Sequence, residues 1–217
     1  MKQRTVSTLS EAASKQLLAA AGVPFPQERL ATTVDAAVAA ADALGYPVVL
    51  KLGGEGIAHK AESGLVRLDL ATPDAVRAAA AALLAASPHE HDVHLLVAPM
   101  LRATRELIAG LHRDDQFGMT VMLGVGGVLA EAVADVAFRL APVTRVEAEE
   151  MLDDLATRRV LGSFRGEPPV NREALVDVLM ALSQAAADHP EIVAADVNPL
   201  LVVDGQPIAV DALVELG

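Results

Sequence analysis

Asp204-Gly205 stands between two short apolar runs, residues 200–203 and 208–210. An Asp-Gly pair in that setting signals a two-residue hairpin turn, and such a turn joins only antiparallel strands. Residues 65–70 carry the same implication: Val66, Leu68 and Leu70 alternate with Arg67 and Asp69, the pattern of a half-buried antiparallel strand. Two antiparallel features within 217 residues disfavour a doubly wound parallel nucleotide fold. They predict an α+β molecule with helices laid over antiparallel strands.

The helical segments have legible ends. Thr8 and Glu11 read as a capping box for a first helix that carries Leu17 and Leu18 and stops at Gly22. A second helix starts near Thr33, with Val34, Ala37, Val38, Ala41 and Leu44 on one stripe, and ends at Gly45. Thr72, Pro73 and Asp74 supply an N-cap, an N1 proline and a first-turn acid for an alanine-rich helix to about residue 86. Thr144 and Glu147 form another capping box, and a last helix covers 172–187. Strands are predicted at 46–52, 94–98, 105–111, 119–123 and 192–197.

Composition excludes several classes of function. The formal net charge of −12 argues against general nucleic-acid binding, which needs clustered Lys and Arg. Aromatic residues are 2% of the chain, so an adenine ring would have to lie between aliphatic side chains. The chain has no cysteine, which removes disulfides, thiolate metal sites and cysteine nucleophiles and suits a reducing cytoplasm. No apolar stretch is long enough for a membrane span, and the first eight residues have no signal-like apolar core. A soluble, untargeted protein is the expectation.

Certain residues are out of place for their surroundings. Lys51 sits inside the apolar run 47–52, where a lysine is costly unless an anion pairs with it or it reaches the surface. Gly53, Gly54 and Gly56 follow, and their backbone N–H groups could approach an anion, although the Walker A pattern is absent. In His59-Lys60 an imidazole able to accept a phosphoryl group adjoins an ammonium able to neutralise it; a polar loop is the plain alternative. Asp196 and Asn198 are two apart on a predicted strand, so they share a face and could offer Mg²⁺ hard oxygen ligands; an Asx turn before Pro199 is the alternative. Glu106, Glu131 and Arg139 are charges inside apolar runs, each facing either a ligand or solvent. The other histidines, His89, His91, His94, His112 and His189, read as surface or core polar residues.

Five blocks in order carry a resemblance: GYPVVLK at 45–51, HK at 59–60, ELIAGLHRDDQFG at 106–118, GVGGVLAE at 124–131 and DVNPL at 196–200. Over nearly the whole chain it resembles the ATP-grasp domain, the beta subunit, of the ADP-forming acyl-CoA synthetases, also called acetate-CoA ligases. That resemblance implies one ATP-grasp unit over 1–217, with two α+β lobes gripping ATP in the cleft between them. The smaller, nucleotide-gripping lobe would be about 24–98, and the larger, metal-binding lobe 1–23 plus 99–217. It implies ATP held by Lys51, Gly53, Gly54, Val97, Ala98, Met100, Glu106 and Arg139, and Mg²⁺ at Asp196 and Asn198, with Glu131 a further candidate. His59 would relay phosphoryl, with Lys60 beside it on the phosphates. ATP, a carboxylic acid and CoA would give ADP, phosphate and acyl-CoA, with a CoA-binding alpha subunit as partner. The chain departs from the family's pattern at Leu52-Gly53-Gly54, at Gly64-Leu65 and at Ala195. A stand-alone carboxylate-amine ligase would use the same lysines and metal pair without His59, and a nucleotide-binding regulatory module would sense ATP without consuming it.

Overall fold

Side-chain caps set the helix starts, and the strands between them pair antiparallel throughout. A computed structural model describes residues 6–54, 64–86, 93–127, 133–163 and 166–217. In chain order the described elements are β1 (Ser7–Thr8), α1 (Glu11–Ala21), β2 (Arg29–Ala31), α2 (Val34–Leu44), β3 (Val48–Gly53), β4 (Val66–Leu70), α3 (Pro73–Ala85) and β5 (His94–Pro99). They continue with β6 (Glu106–Asp114), β7 (Gly118–Val125), β8 (Val136–Leu140), α4 (Arg145–Asp154), a 3-10 turn (Arg158–Leu161), α5 (Arg172–Asp188), β9 (Ile192–Val203), β10 (Gln206–Ala209) and β11 (Leu213–Leu216). His59, Lys60, Glu131, His89 and His91 lie outside the described residues.

The chain divides into two compact units, Met1–Phe25 with Arg102–Gly217, and Pro26–Leu101. The smaller unit is a four-stranded sheet in the order β2-β5-β3-β4. Val48, Leu50, Leu52, Leu95 and Val97 turn to one side and pack on Ala37, Ala41, Val76, Ala80 and Leu83 of α2 and α3. Each leucine removed from water there stabilises by roughly 1.5–3 kcal/mol. In the larger unit the sheet order is β1-β11-β9-β6-β7-β8, with β10 also on β9. Leu107, Ala109, Leu111, Val121, Leu123, Val197 and Leu200 face a core completed by Leu18 of α1, Met151 and Leu152 of α4, and Leu175, Leu179 and Leu182 of α5. Among the described residues no buried side-chain nitrogen or oxygen lacks a hydrogen bond.

The Thr33, Thr72 and Thr144 caps form, the last as a complete capping box. Asp204 and Gly205 both take positive φ, 49° and 81°, as a type I′ hairpin requires. Three details depart from the sequence reading. Ser10 caps α1, accepting from the Ala13 N–H, because Thr8 is already paired with Glu215 in the sheet. Residues 192–203 form one strand rather than two pieces. Leu68 does not share the inward face: it is 57% exposed. The β3–β4 register slips between Val48↔Leu70 and Leu50↔Arg67, so Leu68 and Asp69 together face Val49 as a bulge, with Asp69 at φ 58°.

Candidate functional site

Lys51 sits at the centre of the smaller sheet, opposite Leu96 of β5 and Val66 of β4. Alternation sends Leu50 and Leu52 into the core, so Lys51 lies on the face turned away from α2 and α3, with Val49 and Ala98 beside it in register. It is only 9% exposed. Gly53 shares that face and pairs with His94. A Cβ on Gly53 would stand 2.6 Å from His94 Nε2, so the imidazole rests on the glycine. Gly54 is buried as the chain leaves the strand. From sequence His94 reads as a surface or core polar residue; its place against Gly53 is set by the β3–β5 register, which one strand alone does not reveal.

Residues 97–100 divide by the same alternation. Val97 is fully buried in the helix-side core, so it can offer a ligand only backbone groups, whereas Ala98 shares the Lys51 face. The β5 ladder to β2 ends at Val97, while that to β3 runs on to Pro99. Met100 donates its N–H to the Pro47 carbonyl at 2.9 Å.

In the larger unit Asp196 lies opposite Gly110 of β6 and Leu213 of β11. Ala195 and Val197 face the core; Asp196 and Asn198 face the other way and are exposed. The departure at Ala195 therefore falls on the core side, away from the Asp196–Asn198 pair. Gly110 lets β6 and β9 approach closely: a Cβ there would lie 2.5 Å from the Ala195 carbonyl oxygen. The Asn198 side chain donates to the Asp196 carboxylate, which favours ionisation. Loss of surrounding water and the like charge of Asp211 outweigh it and push the Asp196 carboxyl above the usual aspartate range. Asp196 is open to solvent at its surface yet sits amid enough protein for desolvation to dominate. Asp211 was not singled out from sequence, because it enters through β11, two residues before Leu213.

Glu106 is on the same face of β6 as Gly110 but four residues away, roughly 13 Å along the strand. Its backbone carbonyl accepts the Gly126 N–H at 2.8 Å, and its Oε2 lies 3.8 Å from the place a Gly127 Cβ would occupy. The glycine block at 124–127 thus folds onto Glu106. Arg139 does not join these acids. It pairs with Val121, whose side chain is in the core, and its guanidinium binds Asp154 Oδ2 at 2.6 Å and Glu150 Oε2 at 3.6 Å on α4. Asp154 in particular raises its pKa further. Arg139 therefore belongs to the helix-covered side of the sheet, opposite Asp196.

Two carboxylates and an amide oxygen in one place are hard donors suited to Mg²⁺, which takes one or two carboxylates and completes its shell with water and phosphate oxygens. No group of three or more His, Asp or Glu side chains able to hold a metal occurs among the described residues. The Asp196, Asn198 and Asp211 set thus fits a cation shared with a phosphate ligand better than one enclosed by protein.

A family model described as an ATP-grasp domain matches residues 1–216. The beta subunit of acetate–CoA ligase (ADP-forming) I from Pyrococcus furiosus is 36% identical over 208 residues, 94% of this chain and 90% of that protein. The dinucleotide forming acetyl-coenzyme A synthetase 1 of Ca. Korarchaeum cryptofilum, solved with coenzyme A and Ca-AMPCP, superposes with a TM-score of 0.90 at 34% identity, covering 97% of this chain and 93% of that one. A second structure of that enzyme, with Mg-AMPPCP and its phosphohistidine segment pointing towards the nucleotide binding site, gives 0.84 at 34% identity and the same coverage. The order of the five sequence blocks, the two antiparallel units and these similarities agree: the chain belongs to the ATP-grasp family, among the beta subunits of the ADP-forming acyl-CoA synthetases.

Proposed function

We propose that this chain binds Mg-ATP and transfers phosphoryl in an ADP-forming acyl-CoA synthetase, and that a CoA-binding alpha subunit, as a separate chain or domain, completes the thioester. The observation that carries the reading is the Asp196 carboxyl, held beside Asn198 and the like charge of Asp211. Such a pair favours a divalent cation, which would reverse the unfavourable charge and draw Asp196 back to its ionised form. Asp196 and Asn198 hold the metal in this reading, with Glu131 a further ligand. Mg²⁺ when bound neutralises phosphate charge.

Lys51 is a buried ammonium on a sheet, so it can neutralise phosphate oxygens at little cost in further desolvation. Ala98 offers the base an aliphatic surface, in keeping with a chain poor in aromatics, and Val97 and Met100 offer it backbone hydrogen-bonding groups. Gly53 and Gly54 allow close backbone approach, and Glu106 is positioned by the glycine block to accept from a ribose. Arg139 stands apart from this set, ion-paired to Asp154 and Glu150 on the helix-covered side of its sheet. His59 carries the phosphoryl group and Lys60 balances its charge. ATP, a carboxylic acid and CoA are the substrates, and ADP, phosphate and acyl-CoA the products. No helix among the described residues is long and apolar enough to cross a membrane, and the absence of cysteine suits the cytoplasm.

The test is incubation with γ-labelled ATP and Mg²⁺, with and without a candidate alpha subunit, for wild type and His59→Ala. Acid-labile, base-stable label on the wild type that is lost in His59→Ala is the expected result. ATP binding without label, even beside a competent partner, would point instead to a sensor or to a ligase without the relay.

A further inference from the structure

The 3-10 turn Arg158–Leu161, with Gly162, Ser163, Pro169, Val170 and Arg172, lines a concavity of about 560 Å³ that opens to solvent. Among the described residues its lining carries three arginines, Arg158, Arg159 and Arg172, together with Ser163, and no Asp or Glu. In a chain of net charge −12, a concavity lined by three guanidinium groups opposes the charge of the molecule as a whole.

The walls are held from beneath. Arg105, 3% exposed, donates through Nη1 to the carbonyls of Val160 (3.3 Å) and Gly162 (3.0 Å), through Nη2 to that of Pro168 (2.6 Å), and through Nε to Glu167 (3.2 Å). The Val170 N–H closes the loop on the Leu161 carbonyl at 2.9 Å. The hairpin turn braces the far side: Asn171 donates to the Gly205 carbonyl at 2.7 Å, and a Cβ on Gly205 would lie 2.7 Å from the Pro169 carbonyl oxygen. Two of the arginines are anchored on one residue, Arg172 to the Asp153 carboxylate at 2.9 Å and Arg158 to its backbone carbonyl at 3.3 Å. The Arg159 guanidinium makes no hydrogen bond or ion pair with any described residue, while the Arg159 carbonyl accepts the Gly162 N–H at 3.1 Å.

We infer that this cavity is a binding site for a phosphorylated small molecule, free phosphate or diphosphate included. Guanidinium forks match phosphate oxygens in pairs, and a group carrying about two negative charges suits three arginines of which Asp153 neutralises one. The volume falls within the roughly 300–1,000 Å³ of small-molecule sites. None of the lining residues belongs to the set proposed for ATP and Mg²⁺, so the two sites can fail independently.

Calorimetric titration of the full chain with inorganic phosphate, pyrophosphate and malonate, on wild type, Arg159→Gln and Lys51→Met, tests it. Pyrophosphate should bind the wild type, bind Lys51→Met through this cavity, and bind that cavity at least about tenfold more weakly in Arg159→Gln, since one charge-assisted contact is removed. The Arg159 side chain is exposed and without a described partner, so an unchanged melting curve will verify that the variant is folded. Inorganic phosphate binding with the same Arg159 dependence assigns a single phosphoryl group as sufficient, within the proposal. Wild-type affinity in Arg159→Gln, loss of all binding in Lys51→Met, no binding at millimolar pyrophosphate, or malonate binding as tightly as pyrophosphate would each overturn the assignment.

Discussion

Arg105→Met removes the guanidinium that ties Val160, Gly162, Glu167 and Pro168 to the start of β6. The side chain is 3% exposed and makes four hydrogen bonds, three to carbonyl oxygens and one to Glu167. Methionine fills much of the same volume, so the loss is electrostatic rather than a cavity. The Glu167 carboxylate, still bonded to Thr104 at 2.5 Å, keeps some compensation, but the carbonyls of Val160, Gly162 and Pro168 lose their donor. Breaking a buried charged network in this way costs about 3–5 kcal/mol, a large part of the 5–15 kcal/mol typical of a folded domain. Urea unfolding followed by circular dichroism measures the loss, and limited proteolysis should show new cleavage within 158–170. Arg105→Lys keeps the charge but not the fork and should lose about half as much. A loss under about 1 kcal/mol in Arg105→Met, with the loop still protected, would refute the view that this one side chain holds the segment.

Four further outcomes are expected. Asp196→Asn should raise stability in metal-free buffer at neutral pH by a few tenths of a kcal/mol to about 1, discounted because the side chain is exposed. The folded-state pKa of Asp196 lies above the unfolded value, so the penalty is absent below the unfolded pKa, grows as pH rises through the interval between the two values, and is complete above the folded pKa. The advantage of Asn, read by thermal melts, should follow that course, and the same variant should lose stabilisation by Mg²⁺ with nucleotide. Lys51→Met should weaken ATP binding by about 100-fold in calorimetry while shifting unfolding free energy by less than about 1.5 kcal/mol. Gly110→Ala should cost about 1–3 kcal/mol in urea melts, because its Cβ would meet backbone rather than a movable side chain. Gly205→Ala should destabilise by a similar amount, since φ is 81° and the Pro169 carbonyl is 2.7 Å from the added atom.

Sequence alone determined whatever is decided within a few residues. Thr33, Thr72 and Thr144 cap their helices because a hydroxyl reaches an N–H three positions on, and Asp204-Gly205 turns because its two residues tolerate positive φ. Lys51, Asp196 and Asn198 were legible as anomalies, a charge in an apolar run and two oxygen donors on one strand face. The antiparallel α+β class followed from the hairpin and the alternation. Tertiary structure decided the rest, because strand register and helix packing join residues far apart in the chain. Thr8 could have capped α1, but pairing with Glu215 across the molecule claimed it and left Ser10 to cap. A bulge, invisible in an alternating pattern, turned Leu68 outward. Asp211 meets Asp196 only through the β9–β11 register, and His94 meets Gly53 only through β3–β5. Arg139 read equally well inward or outward until α4 supplied Asp154. Arg105, read from sequence as one more residue of a strand, became the support of a loop some 60 positions away, since only the folded chain brings three carbonyls and a carboxylate around one buried guanidinium.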